Sequence, residues 1–89
     1  MREIVYTSQF KRDYKKIHLS KTDEARFLEI IDMLLSEDNI PARYKDHALI
    51  GRWVGCRECH IKPDLLLIYK PEATIVKLMR IGSHSQLFK

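Results

Sequence analysis

The second half of this 89-residue chain concentrates side chains that can transfer protons and bind phosphate. They are His47, His60, His84, Asp64, Arg57 and Arg80. Histidine titrates near neutral pH, so a pair can supply one neutral base and one protonated acid. Arginine stays charged, and its fork of N–H groups fits phosphate oxygens. This combination is typical of an acid and base site that acts on a phosphodiester, so we expect neither a metal nor a cofactor.

Apolar spacing in the first half predicts a short strand and two amphipathic helices. Residues 2–6 form a β-type run, and Thr7 or Ser8 can cap a helix on which apolar residues recur at spacings of four and three. Ser20 or Thr22 can cap a second helix. Because each helix has one apolar side, both must bury that side against another element.

Three extended runs are predicted in the second half, after a long connection over residues 36–54. They cover residues 55–61, 65–70 and 74–81, and tight turns that each contain a proline separate them. Strands joined by such short turns are antiparallel neighbours. The predicted order is therefore βααβββ.

The expected fold is a single α+β domain over residues 1–89, with both helices on one face of a small, mostly antiparallel sheet. The other face of the sheet is then free. Alternate residues of the last three strands line that face, beside the long connection and the C-terminal tail. We expect His60, Arg80 and their companions to converge there.

Basic residues outnumber acidic ones by 16 to 12, which gives a net charge of +4 and a pI near 9.2. This balance favours a polyanionic partner, although an acidic protein fits the same charge. Lys11, Arg12, Lys15 and Lys16 share one side of the first predicted helix. Such a stripe is most often a solvated helix face. Beside a site that acts on a phosphodiester, an RNA-binding role for the stripe is favoured more strongly.

The string Cys-x-x-Cys-His at residues 56–60 matches the motif that attaches c-type haem. Haem attachment needs export, whereas residues 1–4 are Met-Arg-Glu-Ile and carry charge in place of an apolar signal region. The longest aliphatic run, residues 65–68, is too short to span a bilayer. In an extended strand Cys56 and Cys59 point to opposite faces and cannot easily share a disulfide, a zinc ion or a haem. We therefore expect a cytoplasmic protein without a membrane partner; a metal or haem protein is the less favoured alternative.

Four motifs of the second half are specific in combination. They are Lys-Asp-His at residues 45–47, Leu-x-Gly-x-Trp-x-Gly-x-Arg at 49–57, His-x-x-x-Asp at 60–64 and Arg-x-Gly-Ser-His-x-x-Leu-Phe at 80–88. In these motifs the chain resembles the YafQ branch of the RelE toxin superfamily, whereas the first half resembles that family only in layout.

The resemblance implies a RelE-like fold and the toxin of a bacterial type II toxin-antitoxin pair. Such toxins are endoribonucleases that cut mRNA in the ribosomal A site and are silenced by a cognate antitoxin protein. The family's functional residues fall on His47, His60, Asp64, Arg80, His84 and Phe88. The basic residues that we expect to bind the RNA are Lys45, Arg57, Lys11 and Lys15.

Metal-free RNA cleavage needs a base on the ribose 2′-hydroxyl, an acid on the 5′-oxygen and positive charge on the phosphorane. We expect Arg80 to bind the phosphate by bidentate hydrogen bonds, and His84 with His60 or Asp64 to transfer the protons, with base and acid not distinguished. Phe88 can stack on a nucleobase. The alternative function is a non-catalytic module that binds RNA or protein on the same fold.

Overall fold

Turn residues and apolar runs divide the chain into helices and strands within residues 2–88, the part that the computed structural model describes. In chain order they are β1 (Glu3–Tyr6), α1 (Ser8–Lys16), α2 (Lys21–Ser36), β2 (His47–Ala48), β3 (Arg57–Lys62), β4 (Leu65–Pro71), β5 (Ile75–Gly82) and α3 (His84–Leu87). The predicted strand, the two helices and the three later strands are all present. β2 and α3 were not predicted, because elements of two and four residues are too short to show a periodicity.

Side-chain caps fix where the two long helices begin. The Thr7 hydroxyl accepts a hydrogen bond from the Phe10 amide at 3.1 Å, and the Ser20 hydroxyl accepts one from the Asp23 amide at 3.0 Å. The Asp23 carboxylate in turn accepts from the Ser20 amide, which completes a capping box. Each cap supplies a partner to an amide that helix geometry leaves unpaired. Of the alternatives that the sequence left open, Thr7 and Ser20 are the caps.

The strands form one sheet in the order β1-β5-β4-β3-β2. β1 runs parallel to β5, and the other neighbours are antiparallel. The predicted α+β class with a mostly antiparallel sheet is thus confirmed. Within residues 2–88 there is no helix long and apolar enough to cross a membrane.

The helices cover one face of the sheet and build the main core there. Ile30 of α2 and Cys59 and Leu67 of the sheet are completely buried in this core. Phe10 of α1 and Phe27 of α2 join the two helices, with ring centroids 6.1 Å apart. The predicted burial of both apolar helix sides on one sheet face is therefore confirmed.

The sequence predicts that the opposite sheet face is free, and this prediction is wrong in part. Leu66 and Ile68 of β4 are completely buried on that face. Leu87 of α3 packs on them, together with Leu49 and Trp53 from the connection before β3. The physical reason is that β4 is apolar on both of its faces, so both must be covered.

A buried carboxylate fastens α1 to β5. Asp13 is 7% exposed and accepts hydrogen bonds from Arg80 Nε at 2.6 Å, from Arg80 Nη2 at 3.0 Å and from the Ile81 amide at 3.2 Å. Burial acts to raise the pKa of Asp13, but these hydrogen bonds and one from Gln9 outweigh it and hold the pKa below its ordinary value. The hydrogen bond to Asp13 also raises the pKa of Arg80.

We expect Asp13→Asn to lower the free energy of unfolding by about 3 kcal/mol at neutral pH, because Arg80 loses its counter-charge. The pKa of Asp13 is lower in the folded chain than its ordinary value of 3.8. Its contribution to stability is therefore present above about pH 4 and lost as the pH falls through the folded-state pKa.

Urea unfolding from neutral pH down to about pH 2 measures this difference, which should narrow as the pH falls. The control is Asp32→Asn, at an exposed position of α2, which should match wild type at neutral pH. A difference that stays constant into acid would contradict the assignment.

Candidate active site

Strand register places His47, His60 and the carboxylate of Glu58 on the sheet face that α3 partly covers. Residues directly opposed on neighbouring antiparallel strands point to the same face. One row across the sheet consists of His47, Glu58, Ile68 and Arg80. The next row consists of His60, Leu66 and Gly82. We call this side of the sheet the histidine face.

Glu58 is a buried carboxylate shared by two imidazoles. It is 4% exposed, and its Oε1 lies 2.9 Å from His60 Nε2 and 3.8 Å from His47 Nε2. The other nitrogen of His47, Nδ1, lies 2.8 Å from the carbonyl oxygen of Lys45. Carbonyl and carboxylate oxygens accept hydrogen bonds, so we assign protons to His47 Nδ1 and His60 Nε2. In the neutral imidazole of His60, Nδ1 is then the basic nitrogen.

A tight turn and a single-turn helix place His84 over the same face. The Ser83 hydroxyl accepts a hydrogen bond from the Gln86 amide at 3.3 Å, and Gln86 Oε1 accepts one from the Ser83 amide at 2.8 Å. This reciprocal cap fixes the start of α3. A Cβ atom on Gly82 would lie only 2.7 Å from Gln86 Oε1. A side chain at position 82 would therefore displace the end of the Gln86 side chain that caps α3.

Asp64 in the turn between β3 and β4 reaches the start of α3. Its Oδ1 accepts a hydrogen bond from the His84 amide at 3.2 Å and lies 3.4 Å from His84 Nδ1. Both side chains are open to solvent, at 55% exposure for His84 and 72% for Asp64. The carboxylate attracts a proton on Nδ1, so Nε2 is the nitrogen of His84 that can face a ligand.

Four aromatic rings form a line along the histidine face. Ring centroids are 6.2 Å apart for His47 and His60, 5.6 Å for His60 and His84, and 6.1 Å for His84 and Phe88. Phe88 is 40% exposed, which leaves its ring accessible to a stacking partner. The structure thus brings together most of the predicted site residues, namely His47, His60, Asp64, His84 and Phe88.

Arg80 begins on the histidine face, but its guanidinium is turned towards α1. Asp13 accepts hydrogen bonds from Nε and Nη2, so these two nitrogens are already occupied. The predicted bidentate contact of Arg80 with phosphate must therefore be corrected. The cause is the buried carboxylate, which needs a charged partner. Nη1 is the end of the guanidinium that makes no hydrogen bond to Asp13.

Arg57 lies on the helix side of the sheet and not on the histidine face. It is paired across the strands with Tyr69, and both side chains donate hydrogen bonds to Asp46, with Arg57 Nη2 at 3.0 Å. Strand alternation turns Arg57 away from the histidines, and its predicted contact with RNA stays a prediction. Cys59 shares its face, whereas Cys56 packs on the other, so the predicted separation of the two thiols is confirmed.

A cleft of about 340 Å³ opens beside His60 and carries a basic lining. Its charged lining residues are Arg26, Arg43, Lys45 and Lys62, and we call it the basic cleft. Arg43 is paired with Glu29 at 2.6 Å, and Lys62 is paired with Asp23 at 2.9 Å. Of these four residues, only Lys45 was predicted from the sequence. The others come from α2, the connection and the end of β3, so no local pattern groups them.

Lys11 and Lys15 lie on α1 and border a different hollow. That hollow is lined by aromatic residues, among them Tyr6, Phe10 and Tyr14. Neither lysine is among the residues that line the basic cleft. The predicted contact of these lysines with RNA stays a prediction.

Glu58 is the principal site residue that sequence reasoning missed. The signal available was its position two residues before His60 on a predicted strand, which places both on one face. Glu58, His60 and His84 each offer a donor atom, and these atoms all lie within 4.8 Å of one another. Such a group can hold a metal ion, although the sequence analysis expected none.

Comparison with known proteins gives consistent matches along the whole chain. A family model for the bacterial toxin YafQ of type II toxin-antitoxin systems matches residues 2–89. The mRNA interferase toxin YafQ of Escherichia coli strain K12 is 35% identical over 88 residues, covering 98% of this chain and 96% of that protein.

Solved structures give the same result. A copper-bound mutant toxin from Helicobacter pylori is similar with a TM-score of 0.90 at 38% identity, covering 99% of this chain and 100% of that one. The E. coli DinJ-YafQ complex contains a chain that is similar with a TM-score of 0.86 at 35% identity, with complete coverage of both. The copper in the H. pylori relative weighs against the prediction that no metal binds.

We expect Gly82→Ala to displace α3 and His84 while the sheet stays folded, because the new methyl group meets the Gln86 side chain that caps α3. Loss of that cap should cost about 1 kcal/mol of stability. Amide and imidazole NMR shifts measure the effect, which should be concentrated at residues 82–88 and at His60. Asp32→Asn, at an exposed position of α2, is the control. Shifts spread evenly over the whole sheet would contradict this role of Gly82.

Proposed function

Because the chain belongs to the YafQ family of bacterial toxins from type II toxin-antitoxin systems, we propose that it is an endoribonuclease that cleaves mRNA on the ribosome and so inhibits translation. The proposed reaction is attack of a ribose 2′-hydroxyl on the adjacent phosphorus, without a metal. The observation that carries the proposal is the pair of imidazoles of His60 and His84, 5.6 Å apart and each held by a carboxylate. The E. coli relative is named an mRNA interferase, which supports the same activity.

His60 is the proposed general base. Its Nε2 donates to the buried carboxylate of Glu58 at 2.9 Å, which fixes the ring and leaves Nδ1 to accept the proton of the 2′-hydroxyl. When the ring becomes charged, the adjacent carboxylate compensates that charge, as in other carboxylate-oriented histidines. His47 lies near the same carboxylate, with its Nε2 3.8 Å from Glu58 Oε1.

His84 is the proposed general acid. Asp64 orients it through Nδ1 and the backbone amide, so Nε2 can donate a proton to the departing 5′-oxygen. The greater exposure of His84 suits this role, because the leaving nucleotide must be free to depart. Phe88 stands next to His84 and is placed to stack on a nucleobase beside the scissile bond.

Arg80 contributes positive charge to the phosphorane through Nη1, while Asp13 holds the rest of its guanidinium in place. This differs from the bidentate contact expected from the sequence and supplies one hydrogen bond in a fixed direction. The neighbouring nucleotides run along the basic cleft, whose four basic side chains adjoin His60. Lys11 and Lys15, on α1, remain candidates for a separate contact with ribosomal RNA.

A cognate antitoxin protein is the proposed second partner. The E. coli relative is found in a complex with DinJ, and the chain compared there is similar to this one over its whole length. The basic surface of this chain is compatible with an acidic segment of such a partner. The alternative function, a binding module without catalysis, predicts partner binding with no RNA cleavage.

We expect His60→Ala and His84→Ala each to slow cleavage by about 10² to 10⁴-fold, because each removes one proton transfer. The measurement is single-turnover cleavage of labelled mRNA in EDTA, with and without ribosomes programmed with that mRNA. His18→Ala is the matched control, since His18 precedes α2 and lies outside the line of rings.

Undiminished cleavage by a folded protein that carries both His60→Ala and His84→Ala would overturn the assignment of base and acid. Absence of cleavage by wild type on both substrates would instead favour the binding module. Cleavage by wild type that requires ribosomes would establish the substrate class.

For the basic cleft we expect Arg26→Glu and Lys45→Asn to weaken RNA binding. The slope of log K against the logarithm of salt concentration should become less steep by about 0.7 for each lost phosphate contact. Asparagine is chosen at Lys45 because the backbone there is left-handed, with φ of 50°. Binding is measured by fluorescence anisotropy in the inactive His84→Ala protein, across a series of salt concentrations. Lys21→Glu, on exposed α2 surface, is the control. An unchanged salt slope would exclude the cleft from the RNA path.

A further inference from the structure

The donor atoms on the histidine face have the spacing of a metal site. Glu58, His60 and His84 contribute a carboxylate oxygen and two imidazole nitrogens within 4.8 Å of one another. Glu58 Oε1 and His60 Nε2 are already 2.9 Å apart. Two ligands of one ion, each bound at about 2.0–2.2 Å, are roughly 3.0–3.4 Å apart. An ion can therefore replace the proton between Glu58 and His60 with little movement of either side chain.

The supporting structure also suits a bound ion. Glu58 and His60 alternate on β3, which holds them rigidly on one face, and His84 covers them from α3 with more than half of its side chain in solvent. The third ligand can thus swing to admit an ion from outside. Asp64 lies against His84 Nδ1 and would orient its Nε2 towards the metal, as outer carboxylates do for ligating histidines.

The donor types decide which ions fit. Two imidazoles with one carboxylate suit divalent transition metals such as Zn²⁺ and Cu²⁺, whereas Mg²⁺ and Ca²⁺ prefer sets made of oxygen alone. The thiols do not extend the site, because Cys59 is buried on the other face and Cys56 lies under the small apolar cluster of Leu66 and Leu87.

We propose that Glu58, His60 and His84 bind a divalent transition metal and that the bound metal reversibly blocks RNA cleavage. The blocking step rests on the function proposed above. The metal binds Nε2 of His60 and Nε2 of His84. The Nε2 proton of His84 is released to solvent, and His60 carries its proton on Nδ1 instead of Nε2. His84 can then no longer donate a proton, and His60 can no longer accept one. The ion therefore acts as an inhibitor at this site and not as a cofactor.

Titration calorimetry of chelator-treated protein tests the site directly, with ZnCl₂ as the probe and MgCl₂ as the comparison. We expect one Zn²⁺ per chain, no measurable Mg²⁺ binding, and Zn²⁺ affinity weakened by more than about 10-fold in Glu58→Gln and in His84→Ala. His18→Ala should bind as wild type does. Circular dichroism checks the fold, and if Glu58→Gln unfolds, the exposed His84 position decides. Absent Zn²⁺ binding, or binding that His84→Ala leaves unchanged, would overturn the site.

Cleavage assays in parallel test the block. Saturating Zn²⁺ should abolish cleavage by wild type, and EDTA should restore the original rate. Undiminished cleavage by the zinc-loaded protein would overturn the block while the calorimetry still supports the site. Absence of cleavage by metal-free wild type would count against the proposed ribonuclease function, and the calorimetric result would decide the metal site by itself.

Discussion

The arrangement of the site depends on one buried carboxylate. An ionised Glu58 side chain at this depth is costly unless hydrogen-bond donors compensate it. His60, two residues along the same strand, supplies such a hydrogen bond, and His47 of β2 lies nearby with its Nε2 3.8 Å from Glu58 Oε1. The His60 imidazole cannot turn away without leaving the carboxylate unpaired, so this hydrogen bond fixes the ring that we propose as the general base.

The main elements could be predicted because their signals are local. The caps at Thr7 and Ser20 bond to amides three residues away, and the apolar run of β4 is continuous in the sequence. Other features exist only after distant elements have met. Asp13 and Arg80 are 67 residues apart, and their pairing follows from the position of α1 beside β5, which no local pattern encodes.

Motifs pointed to the residues that the structure brings together on the histidine face, whereas the positions of Arg57 and Glu58 follow from strand parity, which was applied to the sequence only at the cysteines. Cys56 and Cys59 were separated correctly because residues three apart on a strand face opposite ways. The same spacing separates Arg57 from His60, and the same argument would have put Arg57 on the far face. Parity also places Glu58 beside His60. The burial of Glu58, however, could not be predicted in this way, because it depends on segments distant in sequence that cover this face of the sheet.

The pairing of β1 with β5 affects how this protein is made. Residues 3–6 pair with the strand that begins at residue 75. The first strand therefore cannot pair until most of the chain has been synthesised. Pairings between such distant segments form slowly, and nascent chains leave the ribosome from their N-terminus. His84 follows β5 directly. A growing polypeptide therefore carries no assembled line of histidines until its synthesis has passed residue 84.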